Sequence, residues 1–414
     1  MKGNTPHAII VCVLLAVATA SQGSPVATSL PRVFCADPQA LATAKVRLAT
    51  NDPALAPAFH YLVSEADKIL TMKPKTVMDK KTIPPSGDKH DFMSQAPYYW
   101  RDTNAPNGHY LHRDGQRNPE AEANSDAGPL MKTCADAQTL ALAFYFTGDE
   151  KYAAKATEII CVWFLNPATR MNPNLNYGQG IPGETEGRPE GLISARGMMG
   201  LMDAIGLLAG SSSWTVTDQQ AMTTWGGQYF EWLTTNKLAL QESRAPNNHG
   251  TFYDVQYVAL AMFLDKTNEA RNLLLKDREQ RIARQIEPDG RQPRELVRTL
   301  SFDYSLFNLR ALFDLASLGK NAGVDLWHYQ TADGRSILNA LVFTAAYSDP
   351  VKIWPYKQIA KPKNEELDEL LLRASAVYSD SRLDEALRQY PLDELAINPN
   401  QLLYSTLQAR AARQ

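Results

Sequence analysis

The sequence has no excess of positive charge and, after its N-terminus, no long uninterrupted apolar run. Lysine and arginine total 42, against 45 aspartate and glutamate residues, for a formal net charge of −3. Nucleic-acid binding depends on basic residues that replace phosphate counterions, so this balance argues against a nucleic-acid partner. No stretch beyond residue 20 approaches the roughly 18 apolar residues of a membrane-spanning helix, so no membrane association is expected after processing.

Cysteine is scarce, with four residues and none at a spacing typical of zinc sites. Cys12 falls in the apolar N-terminal stretch, which leaves an odd number: Cys35, Cys134 and Cys161. A Cys134–Cys161 bridge, a bridge involving Cys35, and buried unpaired thiols all remain open on sequence grounds.

The first 20 residues have the pattern of an export signal. Lys2 supplies the positive charge, and an apolar stretch over residues 8–20 ends in small residues, Ala18-Thr19-Ala20, that fit a cleavage site. We therefore expect residues 1–20 to be removed. The remaining residues 21–414 are expected to form a single soluble domain, periplasmic or secreted, that acts as a monomer.

From about residue 125 onward, apolar residues recur at three- and four-residue intervals, as is typical of α-helices. Each helical stretch is followed by a short break and a second such stretch. In the first pair, Gly148 is placed to end one helix and Asp149 to begin the next. Later breaks are expected at 210–217, 266–268 and 319–323. No β-type alternation of comparable length competes with these helical hairpins.

Hairpins in series bury their apolar faces by packing side by side, as an open solenoid or a closed helical barrel. Two long inserts, 74–124 and 166–192, interrupt the series. Inserts of this length are usually functional or disordered, and these hold too many aromatic and apolar residues for simple linkers. They favour an all-α barrel with long loops gathered at one end.

Two polar segments within the inserts could bind an acidic sugar. Residues 96–120 mix aromatic with basic side chains, so rings could stack on the sugar while guanidinium groups bind its carboxylate. An ordinary aromatic-rich surface loop explains this composition equally well. Residues 172–191 carry neutral hydrogen-bonding groups, although a turn directed by glycine and proline is at least as good an explanation. The candidate binding residues are Trp100, Arg101, His112, Arg113, Asn176, Tyr177 and Gln179.

A third pair of segments, "RAPNNHGTFYD" (244–254) and "RELVRTLSFDYSLFNL" (294–309), matches a chemical need. Removing the proton beside a uronate carboxylate requires the carboxylate charge to be offset, which Asn248 and His249 could do. A base must take the C5 proton and an acid must protonate the departing O4. Tyr304 could serve if the charge of Arg298 lowers its pKa. No metal or organic cofactor is needed. The alternatives are a polar helix cap for the first segment and a core tyrosine for the second.

These segments, together with "YYWRD", "GHYLHRDGQRNPE" and "NPNLNYGQGIPG", resemble in the same order the landmarks of the alginate lyase superfamily, which includes polysaccharide lyase families 5 and 38. The resemblance runs from about residue 55 to 330. It implies an incomplete (α/α) toroid. It also implies an exported lyase that cleaves β-1,4-linked polyuronate, mannuronate-preferring alginate in particular, by β-elimination.

The resemblance also assigns roles. It implies that Asn248 and His249 neutralise the substrate carboxylate, that Tyr304 is the acid or both base and acid, and that Arg298 supports the tyrosine. Family 5 places this arginine seven residues before the tyrosine, whereas Arg298 lies six before it and Arg294 ten before it. Family 38 is the better match at this point.

Three other functions remain open. A β-1,4-glucuronan lyase would use the same groups on a substrate with the same syn arrangement of C5 proton and O4. A glycoside hydrolase on an (α/α) barrel would need a pair of carboxylates, for which the candidates are Glu184, Glu186, Glu190, Asp254 and Asp303. A glycan-binding protein would bind without turnover.

Overall fold

The computed structural model describes residues 1, 30–104, 108–349 and 351–404. Apart from Met1, the expected export signal lies outside the described residues. The α-helices of the described range are α1 Pro38–Ala49, α2 Ala56–Leu70, α3 Pro119–Ala123, α4 Ala127–Thr147, α5 Glu150–Ile160, α6 Met198–Leu207, α7 Val216–Thr235, α8 Lys237–Glu242, α9 Asn248–Phe263, α10 Thr267–Asp277, α11 Pro293–Leu296, α12 Ser301–Ala322, α13 Ile337–Ala345, α14 Asn364–Ser375, α15 Ser381–Leu387, α16 Leu392–Ile397 and α17 Asn400–Tyr404. None of these helices is long and apolar enough to cross a bilayer.

The helices form the incomplete (α/α) toroid that the sequence predicts, and the described residues contain no closed barrel. Helices α4, α6, α9 and α12 contact one another in that order and form an inner layer. Each except α12 is followed, after a short link, by a helix that turns back against it or its neighbour. Because hairpin partners joined by short links run antiparallel, the four inner helices begin at the same end of the molecule.

Burial distinguishes an inner helix from an outer one. Fourteen residues of α9 are buried, including polar ones, so this helix is enclosed on all sides. In α10, its hairpin partner, only Ala270, Leu274 and Asp277 are buried, which is the narrow stripe of a helix that faces water on its other side. The sequence difference between "YVALAMFL" and "KTNEARNLLLKD" therefore determines which arm of the hairpin lies inside.

All the expected helix breaks are found. Gly148 ends α4 with a left-handed φ of 72°, and the side chain of Asp149 accepts from the backbone N–H of Lys151 at the start of α5. At 319–323 the break is present, but the prediction that a second helix follows it directly is wrong. Helix α12 continues through Gly319 to Ala322, and Gly323 ends it with a φ of 77°. The next helix begins only at Ile337, because the segment between them packs its buried side chains, Val324, Leu326 and Trp327, without forming a helix.

The two long inserts lie at the end where the inner helices begin. They contain four short strands: β1 Met93–Gln95, β2 Tyr99–Arg101, β3 Tyr110–His112 and β4 Tyr177–Gly180. Strands β1 and β4 pair in parallel and so join the first insert to the second. Strands β2 and β3 form an antiparallel hairpin in which Trp100 lies opposite Leu111. We call residues 96–118 the hairpin insert.

All three cysteines in the described residues are free. Cys35 and Cys134 are buried and Cys161 is partly buried. Of the alternatives left open by the sequence, the structure therefore has unpaired thiols, and burial raises the pKa of each thiol well above its ordinary value.

The opposite end of the toroid is sealed by the N-terminal segment. The carboxylate of Asp203 in α6 accepts from three consecutive backbone N–H groups, those of Phe34 at 2.5 Å, Cys35 at 3.1 Å and Ala36 at 2.7 Å. C-terminal helices pack nearby, and Arg373 of α14 donates to Asp314 of α12 at 2.8 Å. Residues 331–404 thus complete the packing around α12.

The three-fold acceptor at Asp203 gives a stability prediction. In Asp203→Asn one carboxylate oxygen is replaced by an NH₂ donor that must face a backbone N–H donor, so we expect unfolding to become easier by about 1–3 kcal/mol. Thermal melting monitored by circular dichroism measures this. Asp136→Asn is the control, because Asp136 makes only an exposed pair with Lys132 and its loss should change stability by less than about 0.5 kcal/mol. Equal melting temperatures for the two variants would contradict the interpretation.

Candidate active site

The first turn of α9 answers whether "NNHG" is a cap or part of a site. The side chain of Asn247 accepts from the backbone N–H of His249, so Asn247 is the cap. A Cβ at Gly250 would lie 2.1 Å from the carbonyl oxygen of Ala245 and 2.5 Å from Nη1 of Arg281, so only glycine fits there. The side chains of Asn248 and His249 are left for other partners.

His249 is held by a buried carboxylate. Its Nδ1 lies 2.6 Å from Oε1 of Glu242, the last residue of α8, and the side chain of Glu242 is 3% exposed while that of His249 is 18% exposed. A carboxylate on one ring nitrogen sets the orientation of the imidazole and leaves the other nitrogen, Nε2, for a ligand.

Asn248 faces away from solvent. Its backbone N–H donates to Oε1 of Glu295 at 2.8 Å and its Nδ2 to Oε2 of the same carboxylate at 2.7 Å. The residue is fully buried, and its amide oxygen has no hydrogen-bond partner among the described residues. The expected direct contact between this amide and a substrate carboxylate does not fit the arrangement, because the residue is fully buried and one of its two side-chain N–H groups is bound to Glu295.

Tyr304 lies in the first turn of α12 between a phenol and a guanidinium. Its Oη is 2.7 Å from Oη of Tyr98 in the hairpin insert. On its face, Cζ of Arg298 lies 3.7 Å from the ring centroid. The predicted pairing of Arg298 with Tyr304 is thus present, whereas Arg294 is exposed. The six-residue spacing allows this contact because α12 begins at Ser301, between the two residues, and its first turn places the ring of Tyr304 over Arg298.

Arg298 is fixed in turn by Asp114 of the hairpin insert. Its Nε and Nη2 donate to Oδ1 of Asp114 at 3.0 and 2.5 Å, and Oδ2 accepts from the backbone N–H of Thr299 at 2.9 Å. Gly115 allows this approach: its φ is 73°, and a Cβ would lie 2.5 Å from Oγ1 of Thr299. The insert is therefore bound to the start of α12 through both Tyr98 and Asp114.

The two halves of the predicted constellation lie at the starts of two neighbouring helices, α9 and α12, and we call the surface between them the cleft. Glu295 accepts from Asn248, and Arg298 follows it by three residues on the segment that leads into α12. One turn deeper, Phe252 of α9 packs against Phe307 of α12 with ring centroids 4.5 Å apart. The starts of α9 and α12 are therefore adjacent, which brings His249 and Tyr304 to the same end of neighbouring helices.

The electrostatics of Tyr304 differ from the prediction. Burial is the largest influence and raises the pKa of the phenol, Tyr98 raises it further, and Arg298 lowers it. The net pKa lies well above the ordinary value of a tyrosine. The expectation that Arg298 would yield a low pKa is therefore wrong, because desolvation outweighs the charge, and Tyr304 is a neutral phenol at neutral pH.

In the ion pair of Asp114 and Arg298, beside Tyr304, hydrogen bonds and neighbouring charges together have a larger effect on the pKa values than burial. Burial alone would raise the pKa of Asp114, but hydrogen bonds from Arg298 and Thr299 lower it overall. Burial alone would lower the pKa of Arg298, but the hydrogen bond from Arg298 to Asp114 raises that pKa above its usual value. Both groups stay charged, so a fixed guanidinium lies against the face of an uncharged phenol.

The predicted binding residues of the first insert are brought together in the β2–β3 hairpin. Cζ of Arg113 lies 5.4 Å from the centroid of the Trp100 ring, and the ring of His112 lies 5.1 Å from that of Tyr99. Arg101, His112 and Arg113 are exposed. This surface adjoins the site because Tyr98, which contacts Tyr304, directly precedes β2.

The residues of the second insert are more engaged with the protein. Oδ1 of Asn176 accepts from Nε1 of Trp232 at 2.8 Å, so this side chain anchors the insert to α7. Tyr177 and Gln179 lie on β4, and Gln179 has a left-handed φ of 50°. Both are partly exposed. Asn176 thus has a structural role in joining the insert to α7, and substrate binding stays a prediction for all three residues.

The carboxylates considered for a hydrolase have other partners. Asp254 is buried against Arg281, and Asp303 accepts from the side chain of Gln358 and the backbone of Lys363. Glu190 forms a two-point pair with Arg188. Glu184 and Glu186 line a separate cavity of about 540 Å³ together with Glu120.

Four contacting residues of the site escaped the sequence interpretation: Tyr98, Asp114, Glu242 and Glu295. Three of them lie inside the quoted motifs, in "YYWRD", "HRDGQ" and "RELVR". The motifs therefore included these residues but did not show which side chains they contact. Glu242 precedes its histidine by seven residues and lies in no motif.

A search of curated proteins finds no match. The family model Alginate lyase matches residues 76–354, a span that includes every residue of the site. An alginate lyase from Bacteroides ovatus has a solved structure similar to this one, with 39% identity, 91% of this chain and 99% of that chain covered, and a TM-score of 0.85.

Alginate lyase A1-III from Sphingomonas species A1 is 15% identical over 84% of this chain and 96% of its own, with a TM-score of 0.46. A variant of A1-III complexed with a tetrasaccharide gives 15% identity, 84% and 95% coverage and a TM-score of 0.49. By the family match and the 39% identical structure, this chain belongs to the alginate lyase family and is a polysaccharide lyase.

Proposed function

We propose that this lyase cleaves alginate by β-elimination and prefers mannuronate. The observation that carries the proposal is the contact of Tyr304 with both Tyr98 and Arg298 beside a carboxylate-held histidine. The structurally similar protein from Bacteroides ovatus, which covers nearly the whole chain, is described as an alginate lyase. A polymer of uronate sugars supplies the acidic C5 proton and the leaving O4 that this site can handle.

In this mechanism His249 receives the substrate carboxylate. Because Nδ1–H donates to Glu242, the remaining nitrogen, Nε2, donates only when the ring is an imidazolium, and in that form it offsets the charge that grows on the carboxylate as the C5 proton leaves. Asn248 is fully buried, so we assign it to holding the first turn of α9 against Glu295 beneath this contact. In this assignment His249 contacts the substrate, and Asn248 holds the helix turn that positions His249.

Tyr304 carries out both proton transfers through one oxygen. Its lone pair takes the C5 proton while its own O–H proton passes to O4; the C5–H and C4–O4 bonds break and a C4=C5 double bond forms. Because the phenol accepts one proton as it gives up another, it need not exist as a free phenolate, which its raised pKa disfavours. Arg298 and Tyr98 stabilise the negative charge that passes through the oxygen.

This relay favours mannuronate. A single oxygen can reach both groups only when the C5 proton and O4 lie on the same side of the ring, as they do in β-linked mannuronan. In guluronan they lie on opposite sides, which would require a second group. The preference therefore follows from using one tyrosine for both transfers.

The test of the proposed function is to incubate the purified protein separately with mannuronan, guluronan and glucuronan. We expect rising ultraviolet absorbance from the new conjugated double bond, fastest with mannuronan. Faster turnover of guluronan would contradict the single-tyrosine mechanism. Turnover of glucuronan alone would replace alginate by glucuronan as the substrate while leaving the mechanism intact.

Tyr304→Phe should lower kcat by roughly 10²–10⁴-fold, the usual contribution of a positioned acid or base, with little change in melting temperature. The control is Tyr253→Phe on α9, which removes a hydroxyl that donates to the carbonyl of Leu233 away from the cleft. That variant should lose some stability and keep its turnover. Parent-like kcat in Tyr304→Phe would contradict the assignment.

Adjacent residues of α9 separate catalysis from capping. His249→Ala should lose most activity, because it removes the ring nitrogen that meets the substrate, and some stability, because it leaves the buried carboxylate of Glu242 without its partner. Asn247→Ala should lose about 1 kcal/mol of stability, the usual value of a helix cap, and keep more of its activity. Melting curves and initial rates for both variants decide this. A collapse of the melting temperature with normal turnover in His249→Ala would reverse the two roles.

We also propose that the enzyme acts outside the cytoplasm. The charged and apolar pattern of residues 1–20 supports export, and alginate is too large to meet a cytoplasmic enzyme intact. Intact mass of the protein recovered from a producing cell should correspond to a chain that begins near Ser21. A mature chain that retains Met1 and Lys2 would exclude this processing.

A further inference from the structure

Arg196 lies beside Phe307 of α12, and Phe307 is one helical turn from the proposed catalytic tyrosine, Tyr304. It immediately precedes Gly197, whose missing side chain brings the backbone against Met131 and Cys134 of α4. Its Cζ lies 5.5 Å from the centroid of the Phe307 ring. Because Phe307 follows Tyr304 by three residues, both rings lie on the same face of α12. Arg196 therefore belongs to the cleft and is partly exposed there.

No carboxylate in the described residues forms an ion pair with this guanidinium. Its one side-chain hydrogen bond runs from Nη1 to the carbonyl oxygen of Ile193 at 2.9 Å. Burial lowers the pKa of Arg196 to about 10, and the nearby charges of Arg310 and Arg117 add to the effect. The group remains charged at neutral pH, so the fold keeps a largely desolvated cation with little compensation.

The neighbouring arginines are different. Arg310 is paired with Glu369 at 2.6 Å and Arg117 with Glu122 at 3.0 Å. The charge of Glu366 acts in the opposite direction and raises the pKa of Arg196, but Glu366 is itself bound to Lys363 at 3.0 Å. Arg196 thus stands out as the arginine of this cluster whose charge is left for a ligand. A guanidinium offers a planar pair of donors that fits a carboxylate.

We propose that Arg196 binds the carboxylate of the uronate next to the one being cleaved. The inference rests on the proposed function, in which His249 already receives the carboxylate of the cleaved sugar. A polyuronate chain carries one carboxylate per sugar, so a chain lying along α12 from Tyr304 toward Phe307 presents a second one to Arg196. The aromatic ring of Phe307 keeps the guanidinium in place before the substrate arrives.

The alternative is that Arg196 is structural and serves only to cover Phe307. Arg278 provides a matched control for that role: its Cζ lies 5.5 Å from the ring centroid of Tyr329, and it donates to one backbone carbonyl, that of Asp325. A structural role predicts the same consequence for substitution at either arginine.

The experiment measures binding of a mannuronate tetrasaccharide by calorimetry in the Tyr304→Phe background, which prevents turnover. Adding Arg196→Gln should raise Kd about tenfold or more, since hydrogen bonds between charged groups contribute on that scale, and should reduce the salt dependence of binding. Adding Arg278→Gln should leave Kd unchanged. Arg196→Lys, which keeps the charge and the fold but not the planar donor pair, should give an intermediate Kd.

Unchanged tetrasaccharide binding in both Arg196 variants would overturn the inference while leaving the proposed function standing. A Tyr304→Phe protein that binds no mannuronate oligosaccharide would overturn the proposed function and this inference with it. If Arg196→Gln fails to fold, Arg196→Lys decides: binding equal to that of the Tyr304→Phe protein counts against the role, and weaker binding supports it.

Discussion

The carboxylate of Asp114 holds the guanidinium of Arg298 flat against the ring of Tyr304, and the cleft is arranged around this contact. It joins the hairpin insert to the start of α12, because Asp114 belongs to the first and Arg298 leads into the second. The same attachment brings Tyr98 to within 2.7 Å of the Tyr304 hydroxyl. This contact fixes one end of the insert to α12, while the backbone N–H of Ala96, which donates to the carbonyl oxygen of Gly180 at 2.9 Å, fixes the other end to the second insert.

The inner helices add a second constraint. They begin at one end of the toroid, and the polar residues of their first turns therefore converge there, even though they are far apart in sequence. Packing between α9 and α12 sets the distance between His249 and Tyr304, and the buried carboxylates of Glu242 and Glu295 set the orientation of the first turn of α9. The first turns of the inner helices thus supply the residues of the site, and the rest of each helix is buried in the core.

Burial gives this site its particular character. Burial and the neighbouring phenol of Tyr98 keep the proton on Tyr304 although the charge of Arg298 favours its loss, so Tyr304 is not a preformed base at neutral pH. In the mechanism that we propose, it passes protons through one oxygen as the substrate supplies one and accepts another. In this way a residue with a raised pKa becomes suited to an elimination in which both groups lie on one side of the sugar.

Much of the fold could be predicted from local signals. Gly148 and Asp149 mark a helix end and a helix start by their own backbone preferences, and apolar residues all around α9 predict an enclosed helix. The break expected at 319–323 is made by Gly323 alone, and no helix follows it directly. Gly319 is a packing glycine inside α12, where a Cβ would lie 2.5 Å from the carbonyl oxygen of Val324. Sequence spacing does not separate that use of glycine from a helix end.

The site could be predicted only as far as its motifs extend. The family resemblance identified His249, Arg298 and Tyr304, which do share a cleft. It did not show that Asn248 is fully buried, since burial depends on Glu295 47 residues away. Nor did it show the sign of the pKa shift at Tyr304, because desolvation by tertiary packing exceeds the effect of the adjacent charge.

The proposed mechanism depends most on one oxygen, the hydroxyl oxygen of Tyr304, making both proton transfers. A crystal structure of the Tyr304→Phe protein with a mannuronate tetrasaccharide tests it directly. The proposed mechanism predicts that the ring of residue 304 faces the side of the sugar that carries both the C5 hydrogen and O4. The position that the tyrosine hydroxyl oxygen takes in the parent protein should lie about 3 Å from C5 and from O4, and the sugar carboxylate should point toward His249. A sugar bound with O4 on the face opposite that ring would contradict it.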